Sequence, residues 1–339
     1  VYGDAMFKKI YEKSCQFIKE NYKFFLSLIA IFIFFFYELP FVVYKPGGTI
    51  DLNSRIEMEG KYESSGSFNM AYVSMMRGNI PFVLLSYFIP NWDLEKTSNI
   101  TASNESIDDS IKRDRIYLEN GLDYATLNAY KEAGKEVKIT NVHQIITYIA
   151  EEAITDLELG DKILSINNHE FNTLSKLQLY INTLKKEETV DFKVLREGKE
   201  KECTAKIFEL DNSLKVGISI VEKYEYKTDP ELEIKTKPSE SGSSGGLMTA
   251  LAIYNALTEE DLTKGRKIVG TGAIDKEGKI LEIGGIKYKL LGAEKAKADI
   301  FLCPKENYEE ALRVKEENKL NLNIIKVETL KEAIEELQK

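Results

Sequence analysis

The most prominent feature of the hydrophobic pattern is one long apolar stretch near the start of the chain. Residues 24–37 (FFLSLIAIFIFFFY) carry no charge, Glu38 interrupts, and apolar residues resume as far as Tyr44. A helix of 14 residues spans about 21 Å and one of 21 residues about 31 Å, against about 30 Å for a membrane core. A buried core helix is rarely apolar on every side, and no small-residue cleavage site follows. The pattern therefore predicts an uncleaved transmembrane anchor over residues 24–44.

The charges that precede this stretch predict an orientation. Residues 1–23 contain the lysines Lys8, Lys9, Lys13, Lys19 and Lys23. Basic residues beside a membrane span favour the cytoplasmic side. We therefore expect a single-pass protein of the cell membrane, with residues 1–23 as a cytoplasmic segment and the rest of the chain outside the cell.

After the predicted anchor, residues 45–135 mix short strands, helices and polar loops. Alternating apolar positions over residues 67–74 (SFNMAYVS) predict a strand. Residues 94–112 are polar and acidic, as in a loop, and residues 114–135 have a helical pattern. No catalytic constellation is visible here, so we expect an extracellular region that packs against the domains that follow.

The remainder of the chain divides into two patterned regions. Residues 136–210 have strand–strand–helix–strand character. Residues 211–339 alternate strands with helices, which is typical of an α/β domain. The predicted fold class is therefore α+β multidomain, with an N-terminal single transmembrane helix, a β domain and a C-terminal α/β domain.

Composition narrows the functional class. The formal net charge of −9 argues against a nucleic-acid partner, because such proteins are usually basic. The three cysteines, Cys15, Cys203 and Cys303, are too few and too scattered for a disulfide framework or a zinc cluster. The two histidines, His143 and His169, exclude a site with several histidine ligands and leave little room for a Ser-His-Asp triad. We therefore expect neither a metal nor another cofactor.

Candidate chemistry begins at residues 241–246 (SGSSGG), directly before a helical pattern that runs to Leu257. A serine in the first turn of a helix lies among free backbone N–H groups at the positive end of the helix dipole, where an oxyanion is stabilised. The glycines let a substrate backbone approach closely. By itself, the motif is weak evidence, and a flexible turn or linker is the simpler interpretation.

A nucleophilic serine needs a base, and with histidine scarce a lysine is the natural candidate. Lys289 follows the pair Gly284-Gly285 by four residues, in the first turn of an otherwise apolar helix. A base lysine must be neutral, and burial and a nearby helix N-terminus both disfavour the ammonium form. The alternative is an ordinary surface lysine.

The segment around Gly160-Asp161 resembles a known peptide-binding fold. Residues 157–168 (LELGDKILSINN) are similar to the Leu-x-x-Gly-Asp-x-Ile-x-x-Ile-Asn-Gly core of PDZ domains. The resemblance implies a PDZ-like β domain over residues 136–210, with residues 177–184 as the helix that lines its peptide groove. The glycine of the usual carboxylate-binding loop is absent from residues 141–148. Capture of a peptide carboxylate is therefore unsupported, and an added-strand contact is the expected mode.

Three further motifs, all within residues 211–339, resemble the proteolytic domain of Lon-type serine proteases. Residues 242–246 (GSSGG) are similar to that family's Gly-Pro-Ser-Ala-Gly. Residues 271–274 (TGAI) are similar to its Thr-Gly-x-Ile, and residues 283–289 (IGGIKYK) to its Ile-Gly-Gly-x-x-x-Lys. The resemblance implies a C-terminal Lon-type proteolytic α/β domain.

This resemblance also implies roles for individual residues. Ser244 would be the nucleophile, Lys289 the general base and Thr271 the partner that orients the lysine. The oxyanion and substrate loop would contain Gly242, Ser243 and Gly245. Ser243 replaces the family's proline and Gly245 its alanine, and Ser241 stands where ATP-dependent members usually carry aspartate. Lys287 remains the competing base, and Ser241 and Ser243 remain alternative nucleophiles.

The order of all these segments resembles membrane-anchored Lon-like proteases that carry a PDZ domain. No phosphate-binding loop of the type Gly-x-x-x-x-Gly-Lys-Ser/Thr occurs in the chain. The resemblance implies an ATP-independent serine endopeptidase that cleaves secreted peptides, or exposed segments of exported proteins, outside the membrane. Its partners would be a peptide or unfolded protein, the membrane and, by resemblance, further copies in a hexamer. The alternative is a non-catalytic, membrane-anchored PDZ scaffold on a protease-like fold.

Overall fold

In this computed structural model, the structure describes residues 2–103, 105–210 and 212–339. The chain divides into two compact units. The first contains Val1–Lys45 and Ser74–Ile100, and the second contains Pro46–Val73 and Thr101–Lys339.

The elements are numbered in chain order. The helices are α1 (Tyr2–Glu20), α2 (Tyr22–Phe36), α3 (Ile80–Ser86), α4 (Ile107–Glu132), α5 (Leu174–Ile181), α6 (Gly246–Leu257), α7 (Ile286–Lys295), α8 (Tyr308–Glu317) and α9 (Leu330–Gln338). The first strands are β1 (Glu38–Asp51), β2 (Ile56–Met58), β3 (Ser67–Asn79), β4 (Asp93–Lys96), β5 (Val137–Ile149), β6 (Lys162–Ile166), β7 (Thr189–Arg196) and β8 (Lys199–Lys206). The later strands are β9 (Phe208–Leu210), β10 (Ser213–Lys215), β11 (Ile218–Thr228), β12 (Leu232–Ile234), β13 (Lys267–Gly270), β14 (Ala273–Ile274), β15 (Ile280–Leu281), β16 (Ile300–Pro304) and β17 (Ile324–Val327).

In the first unit, the long apolar stretch is divided between a helix and a strand. α2 ends at Phe36, and β1 begins at Glu38 and pairs antiparallel with β4. Pro40 explains the change, because proline cannot continue a helix and disfavours helical geometry in the residue before it. Val42 and Val43 are fully buried in the strand, where β-branched side chains pack well.

The predicted transmembrane anchor over residues 24–44 is therefore wrong. α2 contains 15 residues, which is about 22 Å of helix against about 30 Å for a membrane core. Across the described residues, no helix is both long enough and apolar enough to cross a membrane. The predicted fold class included that span as a transmembrane helix, and this part of the fold class is wrong. The predicted single-pass location, with the catalytic part outside, rested on the same span and is not supported.

The second unit contains a parallel sheet covered by helices on both faces. Its strands lie in the order β17, β16, β13, β3, and each is parallel to the next. Alternate residues of a strand point to opposite faces. Ile268 and Leu302 therefore join a core cluster with α4, α6 and α9, whereas Val269 and Phe301 join one with α7 and α8. This places the helix that follows the serine motif and the helix that carries Lys289 on opposite faces of one sheet.

The same unit contains an antiparallel sheet built from the middle of the chain. Its strands lie in the order β11, β5, β6, β7, β8, so β11 is at an edge. Ile146, Ile166 and Phe192 of this sheet form a core with Leu177 and Ile181 of α5. The order of the strands matters for peptide binding, because only an edge strand has backbone groups available for an added strand.

Candidate active site

The serine loop, residues 235–245, connects β12 to α6 and holds the candidate nucleophile. It ends in one turn of 3₁₀ helix, Ser243–Gly245, and α6 begins immediately afterwards at Gly246. Gly242 has a φ of 85°, in the left-handed region that favours glycine. A Cβ on Gly245 would lie 2.6 Å from Sδ of Met70, so a larger residue there requires that methionine side chain to move. Ser244 itself is half-buried at the start of the helix.

Thr271 joins the serine loop to the candidate base. The carbonyl oxygen of Ser244 accepts hydrogen bonds from the Thr271 hydroxyl, at 3.1 Å, and from the Gly272 N–H, at 2.8 Å. The same hydroxyl oxygen accepts a hydrogen bond from Nζ of Lys289, at 3.0 Å. Thr271 is fully buried and directly follows β13 in the middle of the parallel sheet. The structure thus brings the three predicted catalytic residues together at the carboxyl end of a central strand.

Lys289 lies in the first turn of α7, and only 3% of the residue is exposed. The helix begins after Gly285, whose φ of 72° turns the chain into it. Burial lowers the pKa of Lys289 from its ordinary value of 10.5 to about 8, and the neighbouring Cys303 acts in the opposite direction. A substantial fraction of this amine is therefore neutral under mildly alkaline conditions. Lys287, the competing lysine, places its ammonium 5.6 Å from the ring centre of Tyr288.

Two depressions border the serine loop. An open groove of about 500 Å³ runs past Ser244, with the segment from Met70 to Val73 forming part of its wall. A small pocket of about 20 Å³ lies beside Ser243 and Gly245, and the exposed atoms that line it are almost entirely apolar. The groove has room for an extended chain, whereas the pocket has room for about one water molecule.

The two histidines lie in the region of the antiparallel sheet. Nε2 of His143 lies 2.9 Å from Nζ of Lys162 and 2.6 Å from Oε1 of Glu225. The ring of His169 lies 5.2 Å from that of Tyr180. Among the contacts of the described residues, neither histidine reaches the serine loop, and this agrees with a lysine as the base.

A second groove, of about 260 Å³, is lined in part by residues that the sequence motifs did not identify. It lies between α5 and the start of β11, and is lined by Leu177, Ile181 and residues 215–220. Residues 141–148 belong to β5, which pairs with strands on both sides, so they cannot form the edge of a groove. Gly217 has a φ of 83° and directly precedes the edge strand. A glycine followed by the alternating apolar residues of ISI (218–220) was the signal available in the sequence.

Comparison with known proteins agrees with this architecture. Residues 235–339 match the model of the Lon protease (S16) C-terminal proteolytic domain, and residues 121–207 match that of the PDZ domain. The Lon protease of Clostridioides difficile is 27% identical over 299 residues, which is 76% of this chain and 38% of that protein. The Lon protease of Clostridium beijerinckii is 37% identical over 101 residues, which is 29% of this chain and 13% of that protein.

Two solved structures from Listeria also align with a quarter of the chain. The PDZ domain of the SdrC-like protein from Listeria monocytogenes is 21% identical, with a TM-score of 0.23, over 25% of this chain and 93% of that one. The second domain of the protein Lin2157 is 24% identical, with a TM-score of 0.22, over 25% of this chain and 88% of that one.

The C-terminal part of the chain, which holds the parallel sheet and the buried lysine, is therefore similar to the proteolytic domain of Lon proteases. The chain contains a Lon-type C-terminal proteolytic domain preceded by a PDZ domain. It spans less than two-fifths of the length of the Lon proteases described above.

Proposed function

We propose that this chain is an endopeptidase in which Ser244 and Lys289 form a catalytic dyad. The observation that carries the proposal is the buried Lys289 amine, hydrogen-bonded to a threonine whose hydroxyl binds the backbone of Ser244. A lysine of lowered pKa next to a serine at a helix N-terminus is a recognised way to activate a hydroxyl nucleophile.

The reaction would proceed through an acyl-enzyme. Neutral Lys289 takes the proton of the Ser244 hydroxyl as Oγ attacks the scissile carbonyl, and backbone N–H groups at the start of α6 stabilise the oxyanion. The lysine then gives its proton to the leaving amine, and afterwards takes one from the water that hydrolyses the ester. In the described residues the amine donates to Thr271 rather than to Oγ of Ser244. The dyad contact would therefore form by rotation of the serine side chain as substrate enters.

The shape of the site supports an extended peptide as substrate. An unfolded chain fits the open groove that runs past Ser244. Dyad chemistry consumes no nucleotide, so we expect hydrolysis of an unfolded peptide to proceed without ATP. A lysine buried at a cost in stability favours this enzyme over a non-catalytic scaffold, because a scaffold has no use for it.

The PDZ domain would present substrate through its own groove. β11 is an edge strand, and an added peptide strand could pair with it beside Leu177 and Ile181 of α5. Residues 215–217 also line that groove, and their backbone and the Lys215 side chain could receive a chain terminus.

The test is cleavage of a mixture of unstructured peptides, read by mass spectrometry. We expect wild-type protein to cut them equally with and without ATP, and Ser244→Ala and Lys289→Ala to lose at least about 1,000-fold in kcat/KM. Lys287→Ala is the matched control and should retain activity. Full activity of Ser244→Ala would overturn the assignment, and loss in Lys287→Ala with activity in Lys289→Ala would transfer the role of base to Lys287.

A further inference from the structure

The serine loop is held by side chains from elsewhere in the chain. Residues 235–242 belong to neither helix nor strand. A segment of this kind keeps a fixed shape only where its backbone groups have partners. The position of Ser244 therefore depends on the groups that bind the backbone of this loop.

One arginine of α4 binds the loop at three points. Nη1 of Arg115 donates to the carbonyl oxygens of Lys237, at 2.9 Å, and Glu240, at 3.0 Å. Its Nη2 donates to Oγ1 of Thr236, at 3.0 Å. Nε lies 3.7 Å from the carboxylate of Glu119, one turn further along α4, which helps to orient the guanidinium plane.

The same helix holds the loop closer to the serine. The carbonyl oxygen of Asp114 accepts a hydrogen bond from the Gly242 N–H, at 2.8 Å. Gly121 lies against Ser243, so that a Cβ at position 121 would be 3.4 Å from Cα of Ser243. α4 thus contacts the loop up to the residue before Ser244.

We propose that Arg115 is a positioning residue for the nucleophile, an inference that rests on the proposed function. Lys237 and Glu240 line the substrate groove, whereas Arg115 does not. Arg115 therefore acts on catalysis through the loop, without touching substrate. The rigid guanidinium bridges three acceptors at once, which a lysine ammonium on a flexible stem cannot reproduce. Loss of the bridge would let the loop, and Ser244 with it, move relative to Lys289.

The experiment compares Arg115→Ala and Arg115→Lys with Arg113→Ala in the full chain. Arg113 lies on the same helix but pairs with Glu105 and Ser110 instead of the loop, so it controls for loss of a helix arginine. We expect both Arg115 variants to lose about 10- to 100-fold in kcat, as for a small misplacement of a reacting group. KM should change less than kcat, and the apparent pKa of the pH–rate profile should stay unchanged. Millimolar guanidinium should partly restore Arg115→Ala.

A second readout does not depend on activity. Hydrogen exchange of the backbone amides of residues 237–245 should accelerate in Arg115→Ala and not in Arg113→Ala. Wild-type kcat in Arg115→Lys, or unchanged exchange in Arg115→Ala, would overturn the positioning role while leaving the dyad intact. Retained activity of Ser244→Ala would instead overturn the proposed function. In that case, hydrogen exchange would still test whether Arg115 holds the serine loop.

Discussion

Two buried ionisable side chains in the second unit differ in whether they have a partner of opposite charge. Asp161, in the PDZ domain, is fully buried and accepts two hydrogen bonds from Arg196, at 2.7 and 2.6 Å. This pairing raises the pKa of Arg196. Lys289, in the proteolytic domain, is almost as deeply buried, yet no carboxylate lies within ion-pair distance of it among the described residues. Its pKa is lowered instead.

This difference indicates that Asp161 stabilises the fold, whereas Lys289 is suited to proton transfer. A buried charge with a well-placed partner remains ionised and ties two segments of the chain together. A buried lysine without such a partner is destabilised as an ammonium ion, and this makes its neutral form available for proton transfer. The comparison predicts opposite effects on stability. Removing the Lys289 amine should stabilise the fold, whereas removing Arg196, the partner of Asp161, should destabilise it.

The largest expected effect is that of Lys289→Met. Activity should fall by at least about 1,000-fold, because the base is lost. The free energy of unfolding at pH 7 should rise, because the difference between pKa values of 10.5 and about 8 corresponds to about 3 kcal/mol. The Thr271 hydroxyl loses its donor, so we expect a net gain of about 1–3 kcal/mol by denaturant unfolding. A clear loss of stability would contradict the comparison.

Arg196→Met should act in the opposite direction. It leaves Asp161 buried without its partner, which we expect to lower the free energy of unfolding by about 3–5 kcal/mol. Cleavage of a short peptide that needs only the proteolytic domain should be retained at temperatures where the protein is folded. Lys193→Ala, which removes an exposed ion pair with Glu200 on the same sheet, is the control and should leave the unfolding midpoint unchanged.

The smallest expected effect is the pH dependence, which tests most directly whether ionisation of Lys289 causes the changes in rate and stability. The rate of the chemical step should rise with pH through about 8 as Lys289 loses its proton. The unfolded state binds more protons than the folded state between about pH 8 and 10.5. The stability penalty of Lys289 is therefore full below that interval and disappears as pH rises through it. The stability difference between wild type and Lys289→Met should shrink accordingly. A rate that is flat from pH 5 to 9, with chemistry rate-limiting, would refute the base assignment.

Local spacing was enough to nominate the site but not to establish its contacts. The motif around Ser244 and the interval from Gly284-Gly285 to Lys289 are properties of short segments, and so is the threonine motif at position 271. Three of the hydrogen bonds that hold the serine loop come from Arg115, more than 120 positions away in the chain. No pattern of residue types within the loop indicates that contact, because it depends on how α4 packs against α6.

The two sequence-based errors have a common origin. The apolar stretch reads as one span by hydropathy alone, although Pro40 divides it and residues 41–44 pair with β4. The carboxylate-binding loop of the PDZ domain was sought at residues 141–148, although these residues belong to β5 and the edge strand is β11. In both cases the local pattern was visible in the sequence, but its interpretation depended on which strands pair with each other.

The sequence by itself determined the class of both domains and the residue types available for catalysis, because these depend on local motifs and on the scarcity of histidine. Only the tertiary structure decided that Lys289 is buried, that Thr271 lies between the lysine and the serine, and that α4 holds the serine loop. The physical reason is that a lysine's proton affinity is set by its surroundings. Those surroundings are assembled from both faces of a sheet whose strands come from distant parts of the chain.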